Sequence, residues 1–443
     1  MTIQVPEDVK RIIETIEKAG FEAYAVGGCV RDCLLGKEPN DWDITTSAKP
    51  EQVKSLFRRT IDTGIKHGTV TVMLNHVGYE VTTYRIDGEY EDGRHPKEVI
   101  FTGSLREDLR RRDFTINAMA YSEKEGLVDL FGGQQDLENK IIRCVGDAKE
   151  RFSEDALRML RAVRFSAQLG FTVDADTIAA MKELAPNLAK VSAERIQTEL
   201  VKTLVSDNPG KLKTAYGCGL TAVFLPEFDR CMECGQNNPN HIYSVGEHIL
   251  KSVEYAEPER ILRLAMLFHD LGKPACKTQG EDGYDHFHNH ASVSAELAKD
   301  VLRRLKFDNH TIDLVSRLAQ SHDQRIEPGK KYMRRAINRL GEDLFPLYFE
   351  VQRADVLAQS DLNREGKLEW IAKNEADYKE IIEARECVGM KDLAVTGKDL
   401  IDAGVKPGKE IGEILNQMLE LVLEDPENNE KSRLFELCLP KKP

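Results

Sequence analysis

Apolar residues with helical spacing alternate with short apolar runs through the first hundred residues of the chain. Residues 7–20 place their apolar side chains on one face of a helix, and this pattern ends at Gly20. The strand-like runs are Phe21–Val26, Trp42–Thr45, Gly68–Leu74, Tyr79–Tyr84 and Glu98–Phe101, and the helical segments between them are Val30–Leu35 and Lys49–Arg58. This order predicts a small mixed sheet with helices, ending near residue 120.

Beyond this segment the pattern is helical. It is rich in arginine from Leu105 to about residue 230, whereas the segment from Asn237 to Asp361 holds eight of the eleven histidines. We therefore predict an α+β head followed by all-α modules. The predicted domains are a head at residues 1–120, a helical neck and body at 121–236, a histidine-rich domain at 237–361 and a helical tail at 362–443.

Composition and charge restrict the classes of protein to consider. The chain has 443 residues, 41% of them hydrophobic and 31% charged, which is typical of a globular protein with several domains. It has neither an apolar run long enough to span a membrane nor a basic and apolar leader, so we expect a cytoplasmic protein without a membrane partner. The nine irregularly spaced cysteines fit a reducing compartment. The net charge of −13 argues against nonspecific coating of nucleic acid, although local arginine clusters permit a nucleic-acid substrate.

Two carboxylates stand two residues apart at Asp41 and Asp43. Residues at this spacing on a strand point to the same face, where two carboxylates repel each other unless a cation lies between them. Ligands that are all oxygens suit Mg²⁺, whose coordination is usually completed by water and substrate phosphates. Glu80, in the predicted strand Tyr79–Tyr84, is the candidate for a third catalytic carboxylate. The alternative is that Glu80 is a solvated side chain on an edge strand.

The segment just before these carboxylates suits a phosphate. Gly27 and Gly28 allow the backbone to approach an anion closely, and Arg31 can hold phosphate oxygens with its planar fork. With Asp41 and Asp43, they predict a site for a nucleoside triphosphate and a metal. Later in the head, residues 87–96 are polar and rich in glycine, which predicts a mobile loop.

Five segments in order along the chain carry recognisable motifs. They are Gly27–Gly36 with Asp41–Ile44, Arg111–Ala118, Asp129–Gly133, Glu154–Arg161, and Ala193–Ile196 with Glu199–Leu200. Together they resemble the motifs of class II tRNA nucleotidyltransferases, the family that also includes bacterial poly(A) polymerases. The resemblance implies a nucleotidyltransferase-type head with Mg²⁺ as its metal. It also implies CTP and ATP as substrates and tRNA as the partner.

The fourth motif also has a physical interpretation. Asp155 and Arg158 stand three residues apart on a predicted helix, so we expect them to share one face. A carboxylate accepts from an exocyclic amino group and a guanidinium donates to a ring acceptor, a pattern that C and A offer and that U and G do not. The alternative is an ordinary surface ion pair. The predicted nucleotide-binding set is completed, through the resemblance, by Asp113 and Asn117 toward the ribose, Arg111 and Arg112 toward phosphate or template, and Arg161.

A second constellation lies in the histidine-rich domain. Its members fall on successive predicted helices and are His248, His269, Asp270, His290, His322 and Asp355. The adjacent His269 and Asp270 resemble the metal-binding signature of HD-domain phosphohydrolases, which implies a divalent metal here. Imidazole-rich ligand sets favour transition metals over Mg²⁺. The resemblance further implies cyclic phosphodiesterase or phosphatase action on damaged tRNA ends.

The sequence leads to one preferred function and several alternatives. The preferred function is addition of C, C and A to tRNA 3′ ends, with a tail that contacts tRNA. The alternatives are a poly(A) polymerase, an enzyme that adds only C and C, and an HD phosphohydrolase whose head binds RNA. The intact segment 87–96 argues against the second alternative. The oligomeric state stays open.

Overall fold

The computed structural model describes residues 3–87 and 99–439. These residues form two compact units that divide after Asp229. The fold class agrees with the prediction, since a mixed sheet with helices is followed by helices for the rest of the chain. Most of the predicted loop at 87–96, together with Glu98, lies outside the described residues.

The first unit contains the sheet. Its strands are β1 (Ala23–Val26), β2 (Asp43–Thr46), β3 (Thr60–Gly64), β4 (Thr69–Leu74), β5 (Val77–Thr83), β6 (Arg85–Asp87), β7 (Val99–Phe101), β8 (Met119–Ser122), β9 (Gly126–Asp129), β10 (Ile141–Ile142) and β11 (Thr172–Val173). Its helices are α1 (Glu7–Lys18), α2 (Gly28–Leu34), α3 (Pro50–Leu56), α4 (Leu105–Arg110), α5 (Gly133–Asn139), α6 (Ala148–Glu154), α7 (Leu157–Leu169), α8 (Ala175–Leu184), α9 (Ala193–Leu204), α10 (Leu212–Gly217) and α11 (Thr221–Phe224).

The second unit begins within a helix and is helical apart from one short hairpin. Its helices are α12 (Pro226–Glu233), α13 (Val245–Tyr255), α14 (Arg260–Phe268), α15 (Lys273–Cys276), α16 (His290–Arg304), α17 (Asn309–Ser321), α18 (Lys330–Leu340), α19 (Phe345–Ala358), α20 (Arg364–Glu383), α21 (Gly397–Asp402), α22 (Lys409–Glu424) and α23 (Lys431–Cys438), and its strands are β12 (Thr278–Gln279) and β13 (Asp285–His286). Across the described ranges, no helix combines the length and the apolar character that crossing a bilayer requires.

Seven strands form the main sheet in the order β3-β4-β5-β2-β1-β8-β9. Strand β2 pairs in parallel with β5 and antiparallel with β1, so the sheet is mixed as predicted. Strand β1 is buried along its whole length, and α1 covers the sheet with its buried residues Val9, Ile12, Ile13 and Ile16. Amphipathic periodicity therefore placed α1 correctly.

We predicted from the sequence that the sheet ends near residue 120, and this prediction is wrong. Strands β8 and β9 lie at its far edge and continue it to Asp129. All four residues of β8 are buried, so the strand shows no alternation of polar and apolar side chains. A short apolar run of this kind cannot be told from a helical segment by periodicity alone.

Candidate active site and metal centre

Three carboxylates meet at the centre of the sheet. Asp43 opens β2 and its register partner on the parallel strand β5 is Glu80, so the two side chains stand side by side on one face. Strand β2 starts at Asp43, one residue later than the predicted strand Trp42–Thr45, so Asp41 lies two residues before it. Its charge still acts on both of the other carboxylates. The structure thus brings together the three residues predicted to be catalytic.

The electrostatics of this cluster favour a bound cation. Burial raises the pKa of Asp43, Arg112 opposes the shift, and Asp41 adds to it. Burial also raises the pKa of Glu80, and the charges of Asp43 and Asp41 add to that shift. Mutual repulsion of this kind is relieved when a divalent cation lies between the oxygens. Asp43 and Glu80 both remain exposed to solvent, so an ion can reach them.

The glycines and Arg31 line the start of α2, but their interactions differ from the prediction. The Gly27 amide donates to the Met119 carbonyl, so it is committed to the protein rather than to an anion. Gly27 has φ +84° and a Cβ there would lie 2.9 Å from Nη1 of Arg112. Arg31 donates from Nη1 to Asn117 (2.8 Å) and from Nε to Asp32 (2.9 Å). Gly27 therefore provides space for the Arg112 guanidinium.

Replacing Gly27 with alanine is expected to lower nucleotide addition about tenfold, because the new methyl displaces Arg112 from Asp43. Gly36→Ala is the matched control: Gly36 also has a positive φ (+71°), but its Cβ would meet nothing within 4 Å. Alanine is strained at both positions because φ is positive, and more so at Gly27, whose ψ of −129° lies outside the left-handed helical region, so Gly36→Ala controls for the positive φ alone. Steady-state addition rates of the two variants measure the difference, and equal losses would reject the role of Gly27 as space for Arg112.

A buried carboxylate that the sequence analysis missed positions the two neighbouring arginines. Asp108 is fully buried on α4, and its Oδ1 accepts from Nε and Nη2 of Arg111 at 3.0 and 2.8 Å. Nη2 of Arg112 lies 3.6 Å from its other oxygen. Burial alone would raise the pKa of Asp108, but the two guanidinium groups lower it below its usual value. Acidic residues in the first turn of a helix are usually exposed, so only the spacing to Arg111 and Arg112 could have indicated this pairing.

The predicted ribose-binding residues form a buried network. Asn117 bonds to Arg31 and donates to Oδ1 of Asp113 at 3.3 Å, and Oδ2 of Asp113 lies 2.6 Å from Nη2 of Arg161. Although burial opposes ionisation, Arg161 and Arg158 lower the pKa of Asp113 to about 2. Four of the predicted nucleotide-binding residues are therefore connected to one another. Arg31, Arg161 and Arg164 also lie over the ring of Phe165.

Asp155 and Arg158 do not share one helix, contrary to the prediction. Helix α6 ends at Glu154 and α7 begins at Leu157, because Asp155 adopts an extended backbone and its side chain accepts from the Leu157 amide. The Asp155 carboxylate also lies 2.6 Å from Arg195, which the fifth motif supplies. Arg158 lies 2.5 Å from Glu154 and donates to the Arg111 carbonyl at 3.0 Å. Arg158 reaches the head through the Arg111 carbonyl, whereas Asp155 contacts Arg195, and each side chain already has a protein partner.

Comparison with known proteins identifies related families and enzymes. Three family models match, namely "Poly A polymerase head domain" over residues 23–143, "Probable RNA and SrmB-binding site of polymerase A" over 170–232, and "tRNA nucleotidyltransferase domain 2" over 278–438. A CCA-adding enzyme of Levilactobacillus brevis is 37% identical over 429 residues, which cover 97% of this chain and 96% of that protein.

Further similarity supports the same relationship. A CCA-adding enzyme of Lactiplantibacillus plantarum is 56% identical over 223 residues, or 50% of this chain and 53% of that protein. The crystal structure of the Bacillus stearothermophilus CCA-adding enzyme in complex with CTP matches with a TM-score of 0.71 at 31% identity, covering 98% of both chains. The chain belongs to the CCA-adding enzyme family. Membership in this family confirms the predicted nucleotidyltransferase activity and the fold class.

The chain has a second cluster of polar groups, in its C-terminal unit. Nε2 of His248 lies 3.4 Å from Oδ2 of Asp270 and 2.9 Å from Oδ1 of Asp355, and Nε2 of His269 lies 3.3 Å from Oδ2 of Asp270. On the other side of Asp270, Oδ1 lies 3.3 Å from Nε2 of His290 and 3.5 Å from Nε2 of His322. The structure therefore brings together all six predicted ligands, as two groups that share Asp270.

Backbone carbonyls orient the four imidazoles. Nδ1 of His269, His290 and His322 each lies 2.7 Å from a carbonyl in the preceding turn, and Nδ1 of His248 lies 3.3 Å from the Ala358 carbonyl. A nitrogen next to a carbonyl must carry the proton, which leaves Nε2 as an acceptor. The four acceptor nitrogens then face carboxylates and one another, with only 3.2 Å between those of His290 and His322. Positive charge between the groups, supplied by bound cations or by protonated imidazoles, would satisfy them, and ligating histidines in proteins are oriented in the same manner.

Asp270 itself supports this interpretation. It is buried, and its Oδ1 has no hydrogen-bond partner among the described residues. Although burial disfavours the charge, His269 and Lys273 keep the pKa of Asp270 well below its usual range. Nζ of Lys273 lies 2.8 Å from Oδ2. The donor set of imidazole nitrogens and carboxylate oxygens therefore fits two divalent transition-metal ions that share Asp270.

The sequence analysis missed one residue near this centre. The ring of His241 packs edge-on against that of His248, with the centroids 5.1 Å apart. Burial, together with Lys273 and His248, lowers the pKa of His241 to about 3, so the imidazole is neutral at physiological pH. His241 precedes α13 in an irregular segment, where nothing in the sequence pattern separates it from an exposed histidine. It lines a cavity of about 340 Å³ above the centre, with Lys273, His286 and His288.

Proposed function

We propose that this chain adds C, C and A to tRNA 3′ ends, using CTP and ATP. The observation that carries the proposal is the carboxylate trio, with Asp43 and Glu80 paired on adjacent strands and Asp41 just before the first of them. Full-length similarity to CCA-adding enzymes supports it. The related Bacillus stearothermophilus enzyme was crystallised with CTP, which supports a pyrimidine triphosphate as one substrate.

The three carboxylates would hold two Mg²⁺ ions. When bound, such ions make a hydroxyl more acidic and neutralise a triphosphate leaving group. The tRNA 3′-hydroxyl oxygen attacks the α-phosphorus of the nucleotide, the bond to the β-phosphate oxygen breaks, and diphosphate leaves. Arg112 stands beside Asp43 and would contact the triphosphate, with Gly28 and Arg31 at the start of α2.

Asp155 and Arg158 would select the base. The Asp155 carboxylate accepts from the amino group of C or A, and the Arg158 guanidinium donates to the neighbouring ring acceptor. Since both groups have protein partners in the structure, the base would replace one contact of each. Asp113 and Asn117 would position the ribose from the network that connects them with Arg31 and Arg161.

Asp155→Asn is expected to raise the ratio of UTP to CTP incorporation about tenfold or more, because the new amide offers a donor where U presents a carbonyl. Arg195→Gln is the control, since it removes the protein partner of Asp155 and leaves the carboxylate in place. Competition between labelled UTP and CTP on one tRNA measures the ratio. An unchanged ratio in Asp155→Asn would reject the template role.

The decisive assay offers the purified protein a tRNA that ends at the discriminator base, with Mg²⁺ and CTP, ATP or both. We expect two additions from CTP alone and three when both triphosphates are present, followed by a halt. A long ladder from ATP alone would instead assign poly(A) polymerase activity. No addition under any condition would overturn the proposal.

We further propose that the histidine–aspartate centre hydrolyses phosphate esters at damaged RNA 3′ ends. The shared Asp270 and the orientation of the four imidazoles support metal binding there. Bound metal would supply an activated water. The water oxygen attacks phosphorus, the ester P–O bond breaks, and the ribose hydroxyl leaves with a proton. Lys273 lines the cavity above the centre and would contact the phosphate oxygens.

A further inference from the structure

A second cavity opens beside the histidine–aspartate centre. It has a volume of about 300 Å³ and shares His322 and Asp355 with the centre, so a ligand that fills it also reaches the metal ligands. Its other walls come from α19 and α20, with Val356 on the former and Trp370 and Ile371 on the latter. This volume is at the lower end of the range for small-molecule sites.

The apolar wall of the cavity is flat and fixed. Trp370 is half-buried, and its indole N–H donates to the Ile326 carbonyl at 2.8 Å, which sets the orientation of the ring. Val356 and Ile371 are buried beside it. An indole held in this manner is a stacking surface for a planar aromatic ligand such as a nucleobase.

The polar wall carries two cations. Nζ of Lys367 donates to the carboxamides of Gln359 (2.8 Å) and Asn240 (3.0 Å), and neither partner carries a charge that would neutralise it. Arg325 lines the same cavity and is close enough that its charge contributes, after burial, to a lowered pKa of Lys367. Within the described part of the chain, Arg325 has no ion-pair partner. Asp323 and Asp355 also line the cavity, and the charge of Asp355 opposes the lowering of the Lys367 pKa. A ligand here therefore meets two cations and two carboxylates, of which Asp323 is exposed.

We propose that this cavity binds a ribonucleotide, with its base against Trp370 and a phosphate at Lys367 and Arg325. The proposal rests on the proposed hydrolytic function, because the same nucleotide would present its 2′- or 3′-phosphate to the histidine–aspartate centre. The proposed nucleotide therefore has two phosphates. The phosphate on its 5′ side contacts Lys367 and Arg325, and its 2′- or 3′-phosphate faces the histidine–aspartate centre. The ligand class is therefore the terminal nucleotide of an RNA chain or a free nucleotide with the same groups.

Binding can be measured without any turnover. The chain has two tryptophans, Trp42 and Trp370, so a Trp42→Phe variant reports on Trp370 alone. We expect adenosine to quench this fluorescence, and the dinucleotide ApA to bind about tenfold more tightly because its phosphodiester meets Lys367 and Arg325. Equal affinities would show that the phosphodiester makes no contact with Lys367 and Arg325, and would overturn the proposed phosphate site. Absence of quenching by either probe at millimolar concentration would overturn the proposal.

A kinetic comparison separates this proposal from the hydrolytic one. Trp370→Leu is expected to raise KM for adenosine 2′-monophosphate about tenfold more than KM for p-nitrophenyl phosphate, which has no nucleoside. Lys367→Met provides a second variant, and we expect it to lower the preference for ApA over adenosine when fluorescence is measured. Tyr332→Leu, an exposed aromatic change on α18, is the control. Equal KM changes for both substrates would reject the cavity as a nucleotide site, whereas a wild-type protein that hydrolyses neither substrate would reject the hydrolytic function and leave the fluorescence test intact.

Discussion

Asparagine in place of Asp43 is expected to slow nucleotide addition about a thousandfold or more. The substitution keeps the size of the side chain and removes the charge that would hold both metal ions. Loss of metal-ion stabilisation costs several kcal/mol in such reactions, and about 4 kcal/mol corresponds to a thousandfold in rate. Asp43 is the strand residue paired with Glu80 and feels the charge of Asp41, and both of those carboxylates would already be committed to the same ions.

The control for this prediction is Asp62→Asn. Asp62 is an exposed carboxylate on β3 of the same sheet, paired with Lys54 at its surface. Single-turnover rates with excess enzyme, a tRNA that lacks CCA and CTP would compare the two variants with the unmodified chain. Addition by Asp43→Asn within tenfold of the unmodified rate would show that the metal site lies elsewhere. A loss in Asp62→Asn of similar size would point to a general effect on the sheet.

Glu80→Gln tests how much of the site the third carboxylate supplies. The pKa of Glu80 is raised by burial and by the charges of Asp43 and Asp41. Its ionised form therefore becomes more favourable when a cation neutralises these neighbours. We expect the rate to fall about a hundredfold, less than for Asp43, because Glu80 would complete the metal site rather than hold both ions. A rate close to normal would favour the alternative that Glu80 is a solvated edge-strand residue.

The sequence indicated which side chains come together more reliably than what surrounds them. Glu80 was a candidate partner of Asp41 and Asp43, and the parallel pairing of β2 with β5 places it beside Asp43. Short-range spacing likewise indicated the residues around His269 and Asp270. Both predictions rest on local patterns, which a single chain displays directly.

Features that depend on long-range contacts were not predictable in this manner. Arg195 contacts Asp155 from forty positions further along the chain. This contact and the hydrogen bond from the Leu157 amide to the Asp155 carboxylate accompany the break between α6 and α7. Spacing alone suggested one continuous helix there. Asp108 has local arginine partners, but the distant Thr45 hydroxyl and Arg85 amide also donate to it inside the protein. The low pKa of His241 likewise depends on burial and on the distant Lys273. No sequence period reports such contacts.

Asparagine in place of Asp270 is expected to remove most of the transition metal bound by the C-terminal unit and to lower phosphate-ester hydrolysis at least about a hundredfold. Both groups of histidines face this one carboxylate, and its two oxygens serve different groups. Because His269 and Lys273 keep its pKa well below the usual range, the carboxylate is charged at every pH at which the protein would work. An amide offers one weak acceptor to two sites, and ligand loss of this kind is more severe than the ten- to hundredfold effects of outer-shell changes.

His290→Ala provides the graded comparison. It removes a ligand from the group formed with His322 and leaves His248, His269 and Asp355 in place, so we expect about half of the metal to remain. His310→Ala, an exposed histidine on α17, is the control for loss of imidazole. Elemental analysis after gel filtration measures the metal, and circular dichroism checks folding, because Asp270→Asn leaves the buried Lys273 without its partner.

Nucleotide addition by the same variants separates the two chemistries. We expect Asp270→Asn to add C, C and A at a rate within about twofold of the unmodified chain, because the carboxylates of the head lie in a different compact unit. Metal content that stays unchanged in a folded Asp270→Asn protein would refute the shared-carboxylate centre. Loss of metal with full hydrolysis would instead show that the centre is structural, and the hydrolytic proposal would fall while the nucleotidyl-transfer site stands.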